Sequence, residues 1–267
     1  MMQRKTIWII LIIILLAAIG IGGYYFYQRH LHVTMAKEYS QKGYDYLNAN
    51  KPELAIGELL QALNIIQRNQ NTDLMLKADV YRSLAWGYRE NNDWKKSLEF
   101  ELLGNSMLLK MLNIVKSQQS RNIKLNNLYI SYTWIMHGCF ETNKHDDAIK
   151  FFPEIEKLRT IEKPHPELAK IYMGMAKNAQ KIKSYDFSNK CCDIGLDMCN
   201  SRGYGNFSDV AQKILWVKAD NLYRQGHLSD AISLCKEALA KKQSVNESND
   251  DFHVFLQEKL AQWQTEK

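Results

Sequence analysis

The sequence predicts an all-α chain: one N-terminal transmembrane helix followed by an α-solenoid of stacked helical hairpins. Three observations carry this. Only 13 Gly and 4 Pro punctuate 267 residues, too few for the frequent turns of a β-sandwich or barrel, and strong helix formers fill the runs between them. Residues 7–27 contain no charged side chain. One residue pattern then recurs five times between residues 36 and 240. With 46% hydrophobic and 24% charged residues the chain is neither disordered nor collagen-like. Arg4 and Lys5 are the only charges before residue 28, so the formal net charge of +6 falls to +4 beyond it. That excess is too small for a nucleic-acid binder, and no nucleic-acid partner is expected.

A short basic tail, residues 1–6, precedes the apolar run from Ile7 to Tyr27. Twenty-one helical residues rise about 30 Å, the thickness of a bilayer's hydrocarbon core. Tyr24, Tyr25 and Tyr27 stand where an interfacial aromatic belt would, followed by Arg29 and His30, and Trp8 marks the other boundary. The competing reading is a cleaved secretory signal ending near Ala18, Ile19 and Gly20. The aromatic continuation and the lack of a clean small-x-small site favour a signal anchor over residues 7–27. Charges flank both ends, so sidedness rests on the shortness of the basic tail. That tail points to a bacterial inner membrane with the C-terminal domain periplasmic, the cytoplasmic orientation remaining the alternative.

The repeating pattern comes next, over residues 28–243. It begins with Tyr39, Lys42, Gly43 and Tyr46, then Ala55, Leu59 and Ala62. It returns as Tyr81, Leu84, Ala85 and Tyr88 with Ser97, Glu101 and Gly104, and as Tyr132, Ile135, Met136 and Cys139 with Ala148, Phe152 and Ile155. The last copies are Tyr172, Met175, Ala176 and Ala179 with Ser188, Cys192 and Gly195, then Leu215, Lys218, Ala219 and Leu222 with Ala231, Cys235 and Ala238. A large residue, a small one four later and a large one three further on put a notch on one helix face. After a polar turn, a second helix opening on a small residue fits closely against the first. Each pair leaves an apolar face that the next pair covers, hence a solenoid of about five helix pairs. Residues 244–267 read as a polar linker and a capping helix with Phe252, Phe255, Leu256, Leu260 and Trp263 on one side.

These positions resemble tetratricopeptide repeats, whose pattern runs W-x2-L-G-x2-Y, A-x3-F, P. Tyr39, Lys42, Gly43, Tyr46, Ala55 and Leu59 match it best, and residues 214–239 next best. The copies lack the terminal Pro, Met136 replaces the small notch residue of the third, and spacings of 42, 51, 40 and 43 exceed the family's usual length. Longer, roughly 40-residue repeats are therefore expected. The resemblance implies a concave groove lined by the first helix of each pair. Mapped here, that lining is Arg82, Trp86, Arg89, Thr133, His137, Lys170, Met173, Lys177, Lys181, Lys213, Trp216 and Tyr223, with Asp79, Glu141 and Asp220 as acidic members. The alternative for these residues is a solvated helix face with two packing tryptophans. The Lys/Asn carboxylate clamp of chaperone cofactors is absent, since Ser40, Tyr44 and Ser83 stand at its positions.

Catalytic chemistry is not legible. There is no nucleophile elbow, Walker loop, G-x-G-x-x-G or H-E-x-x-H motif, so neither an enzyme activity nor a cofactor is expected. Cys139, Cys191, Cys192, Cys199 and Cys235 read as buried thiols; a redox or metal cluster of the vicinal pair with Cys199 would lack C-x-x-C or histidine ligands nearby. His165 is one of seven scattered histidines, Gly203-Tyr204-Gly205 is a turn, and Asn206-Phe207-Ser208 and Asn246-Glu247-Ser248 fit the glycosylation sequon. The expected function is a membrane-anchored, non-catalytic scaffold or adaptor that holds a protein or peptide, acidic or amphipathic, in its groove. The alternative is a peptide-responsive receptor that controls an associated signalling or transcription factor.

Overall fold

The computed structural model describes residues 2–69, 73–114, 117–161, 166–200, 208–241 and 251–266, and their side chains apart from 2–14, 118, 161, 166 and 208. The expected linker before Asp251, His165, the Gly203 turn and both sequons lie outside the described residues or side chains. Among the described residues all regular structure is helical: α1 (Met2–Asn48), α2 (Pro52–Arg68), α3 (Leu74–Glu90), α4 (Trp94–Ile114), α5 (Gln118–Glu141), α6 (His145–Lys150), α7 (Phe152–Ile161), α8 (Pro166–Lys181), α9 (Tyr185–Asn200), α10 (Ser208–Arg224), α11 (Leu228–Lys241) and α12 (Asp251–Thr265). They divide into two compact units, Met1–Met111 and Leu112–Lys267.

The polar turns fold alike because their backbone bonds are the same. Asn50, Asn92, Asn143, Lys183 and Gly226 all take positive φ, between 55° and 83°, the left-handed conformation that ends a helix. The next amide in each turn reaches five residues back: Lys51 to Tyr46, Asp93 to Tyr88, Lys144 to Cys139, Ser184 to Ala179 and His227 to Leu222, at 2.8–2.9 Å. This is the Schellman arrangement, and it consumes carbonyls that would otherwise be left unbonded. The same five residues start the second helix, their carbonyls accepting from Ala55, Ser97, Ala148, Ser188 and Ala231. A fixed turn thus carries each small residue to the inner face of the second helix, where all five are buried.

In the first unit, Ala36 and Leu47 of α1, Ala55, Leu59, Ala62 and Ile66 of α2 and Val80, Leu84 and Tyr88 of α3 share one core. Gly43 is needed there, because a Cβ at that position would lie 2.5 Å from Leu59 Cγ. Helix α1 is continuous from the expected span into the first repeat. Among the described residues no helix is long and apolar enough to cross a membrane; the side chains of Ile7–Ile14 in the expected span are outside those described.

In the second unit the third copy departs from the expected pair of continuous helices. Its second helix breaks at Phe151 into α6 and α7. Pro153 has no N–H for the Ile149 carbonyl, and the chain there makes shorter bonds, Phe151 N to Ala148 O and Glu154 N to Phe151 O. Buried asparagines join successive copies. Asn178 Nδ2 donates to the Met136 and Gly174 carbonyls at 3.0 and 2.9 Å, and its Oδ1 lies 2.9 Å from His145 Nδ1. Asn221 Nδ2 donates to Ser188 Oγ (2.7 Å) and Asn189 Oδ1 (2.8 Å), while its Oδ1 accepts from Gln180 Nε2 (2.9 Å). Both asparagines are fully buried, so these bonds fix the stacking register of α5, α8, α9 and α10. Trp263 of α12, 2% exposed, stacks between Trp216 (5.5 Å between centroids) and Tyr223 (4.7 Å) and closes the last hairpin.

Candidate functional site

Helices α5, α8 and α10, the first helices of three successive hairpins, enclose a groove of about 660 Å³ within the second unit. Thr133, Trp134, Met136, His137, Phe140 and Glu141 come from α5; Lys170, Met173, Gly174, Lys177, Gln180 and Lys181 from α8; Trp216 and Val217 from α10; and Phe252 from α12. The groove depends on close approach of α5 and α8. A Cβ on Gly174 would stand 2.6 Å from Met136 Cβ, closer than packed carbons allow. Met136 therefore occupies the third copy's notch because the facing helix supplies the missing volume.

The charges in and around the groove are unequally matched. Glu167 pairs with Lys170 at 2.7 Å and Glu141 with His137 at 3.9 Å. Asp220 accepts from Arg224 at 2.8 Å and from Gln180 at 3.0 Å. Lys181 lies over the Phe140 ring, 5.1 Å from its centroid. Lys177 is half-buried, and among the described residues no carboxylate pairs with it; burial first, and then repulsion from Lys213, hold its amine below the ordinary lysine range. The result is an aromatic trough in which the half-buried Lys177 is an under-compensated cation.

Of the residues expected from the sequence, Thr133, His137, Lys170, Met173, Lys177, Lys181 and Trp216 line this groove. Trp216 also packs against α12, edge-on to Phe255 at 4.9 Å. Lys213 contributes at a distance through its charge on Lys177. Tyr223 faces α12 instead, stacked on Trp263 with its hydroxyl donating to Glu266 at 2.8 Å. The other three belong to the first unit. Arg82 lays its stem against Gly104 of α4, where a Cβ would meet Arg82 Cγ at 2.8 Å. Trp86 packs edge-on to Tyr44 at 5.9 Å and donates to Glu90 at 3.0 Å, and burial lowers the Arg89 pKa with Glu101 nearby. Trp134, Phe140, Gln180 and Phe252 were not expected. Spacing on α5 and α8 would have reached the first three, whereas Phe252 comes from another element altogether.

Burial raises the pKa of every cysteine, to about 11 for Cys139, Cys199 and Cys235 and about 12 for Cys191, and all five are free thiols. High pKa and burial make them poor nucleophiles. Among the described residues no group of histidine, cysteine or acidic side chains could hold a metal ion.

No family model matches the chain. No curated protein matches it either. Solved structures do. The apo form of RapI aligns with a TM-score of 0.61 at 11% identity, covering 86% of this chain and 83% of RapI. A signal transduction ATPase with numerous domains, PH0952 from Pyrococcus horikoshii, which has a tetratricopeptide repeat sensor, aligns with a TM-score of 0.62 at 12% identity. That match covers 88% of this chain and 37% of PH0952. The fold is tetratricopeptide-repeat-like. At these identities the likeness concerns fold, and the chemistry of this groove has to be read from its own side chains.

Proposed function

We propose that the chain is a membrane-anchored, non-catalytic interaction module that holds a peptide or protein segment in the α5/α8/α10 groove. The segment presents a carboxylate beside an aromatic or aliphatic side chain. Lys177 carries this reading: a half-buried ammonium without an anionic partner among the described residues, amid Trp134, Phe140, Trp216 and Phe252, is electrostatically incomplete until an anion joins it. Glu141, which lines the groove, lies beside His137, and the neighbouring acids Glu167 and Asp220 pair with Lys170 and Arg224. A peptide supplying both groups would be fixed by aromatic contacts and oriented by charge.

Anchoring is supported by the sequence from Ile7 to Tyr27 and by the exposure of Leu15, Leu16, Ile19, Ile21, Tyr24, Tyr25, Phe26 and Tyr27 along α1. A helix this apolar on every described side is stable in lipid and poorly stable in water. In this reading Arg4 and Lys5, just before the apolar run, stay on the cytoplasmic side, and the repeats lie on the periplasmic side of a bacterial inner membrane. The test is selection of peptides from a random display library by the full chain in nanodiscs. Enrichment of peptides pairing Asp or Glu with an aromatic residue, lost for Lys177→Met, is the expected outcome; selection indifferent to Lys177 would refute the proposed chemistry. Carbonate washing of membranes and a reporter fused after Lys267 test the anchor and its sidedness separately.

A further inference from the structure

A second cavity lies in the first unit, where the apolar run of α1 ends. About 440 Å³ in volume, it is lined by Tyr24, Tyr25, Gln28, Arg29 and His32 of α1, Arg68 from the last turn of α2, and Asn69 beyond it. This lining contains two arginines, a histidine, two phenols and two amides, and no carboxylate. Every polar group in it can donate a hydrogen bond, and arginine forks match the paired oxygens of a phosphate. Arg68 also offsets the negative end of the α2 dipole, which would otherwise repel an anion.

Its position selects the source of the anion. If the span ends at Tyr27, Arg29 and His32 stand about 3 and 7 Å beyond it at the helical rise of about 1.5 Å per residue. The polar layer on each face of a bilayer is about 5–8 Å deep, so the two side chains reach headgroup level while Tyr24 and Tyr25, edge to face at 6.2 Å, stay at the aromatic belt. We propose that this pocket binds the phosphate of an anionic phospholipid headgroup in the membrane that holds α1. Binding there would fix how far α1 emerges before the repeats begin. The proposal rests on the anchor reading, and the shared chemistry with free phosphate makes the source part of the test.

The experiment is native mass spectrometry of the full chain released from zwitterionic micelles containing equal amounts of phosphatidylglycerol and phosphatidylcholine. The wild type should retain phosphatidylglycerol at least tenfold over phosphatidylcholine. Arg29→Gln with Arg68→Gln should bring that ratio close to one with unchanged circular dichroism, because both side chains are exposed. Lys37→Gln with Lys51→Gln, which removes the same charge outside the pocket, should leave the ratio intact. Equal retention of the two lipids by wild type, or equal loss in both double variants, would overturn the site in favour of none or of diffuse surface charge. Displacement of phosphatidylglycerol by millimolar inorganic phosphate would overturn the lipid as its ligand. Carbonate release of the wild type from membranes would sink the anchor reading on its own, and retention without lipid selectivity would sink only this inference.

Discussion

Gly174→Ala adds one methyl group where α5 and α8 touch. The new Cβ would lie 2.6 Å from Met136 Cβ and 3.2 Å from Met136 Cγ, whereas carbon atoms pack at about 3.5–4.0 Å, so the helices must separate by roughly 1 Å. Neither Cβ can rotate away, since both are bonded to backbone. Alanine gains about 1 kcal/mol of helix propensity over glycine, and overpacking of a tight contact costs about 1–3 kcal/mol. With two rigid atoms the cost belongs near the upper end of that range. The net effect is a loss of about 1–2 kcal/mol, or about 2–8 °C of melting temperature for a domain of this size. Gly57 is the reference, exposed on α2 with nothing within 4 Å of a new Cβ; its alanine variant should gain up to about 1 kcal/mol. Scanning calorimetry of both variants of the full chain in micelles provides the comparison. Met136→Ala keeps its Cβ, so the Gly174→Ala penalty should persist in that background. Two glycine variants that stabilise equally, or a penalty abolished by Met136→Ala, would refute the proposed helix contact.

Lys177→Met should stabilise the unliganded protein while weakening a carboxylate-bearing peptide about 10- to 100-fold, the range for one hydrogen bond to a charged group. The folded pKa of Lys177 lies below its unfolded value, so between the two the unfolded chain binds more protons and wild-type stability rises with pH; Lys177→Met should flatten that rise in melts at graded alkaline pH. Lys183 holds a φ of 59°, which costs a non-glycine residue about 1 kcal/mol or more, so Lys183→Gly should raise the denaturation midpoint and Lys183→Pro should lower it. Trp263→Ala should cost about 3–5 kcal/mol and expose α12 to proteolysis ahead of α10 and α11; unchanged protease resistance would show that the Trp216–Trp263–Tyr223 stack does not hold the last helix.

The helices and their turns were legible because each turn writes its chemistry into the sequence. An asparagine, a glycine or a lysine ends one helix left-handed, and the small residue that follows must meet the first helix. Other features depend on atoms far apart in the chain. Met136 looked misplaced until Gly174 was seen to face it, and the break after α6 follows from Pro153, whose effect falls on the carbonyl four residues earlier. Tyr223 sits in the same helical register as groove residues, yet α12, about one repeat further along the chain, stacks Trp263 on it. Asn178 and Asn221 carry no mark in the sequence that sets them apart, and they are fully buried links between hairpins. Within the groove, the resemblance to tetratricopeptide repeats pointed to Lys170, Met173, Lys177 and Lys181 of α8, but the pairing of neighbouring acids that leaves Lys177 uncompensated is a property of three helices together.

The most direct test of the central claim is photocrosslinking in intact membranes, with benzoylphenylalanine placed at Met173 inside the groove and, for comparison, at Lys236 on the exposed side of α11. A groove that holds a protein or peptide segment predicts a discrete heavier product from position 173, reduced by Lys177→Met and absent from position 236. Products of equal yield from both positions, or from position 236 alone, would contradict it.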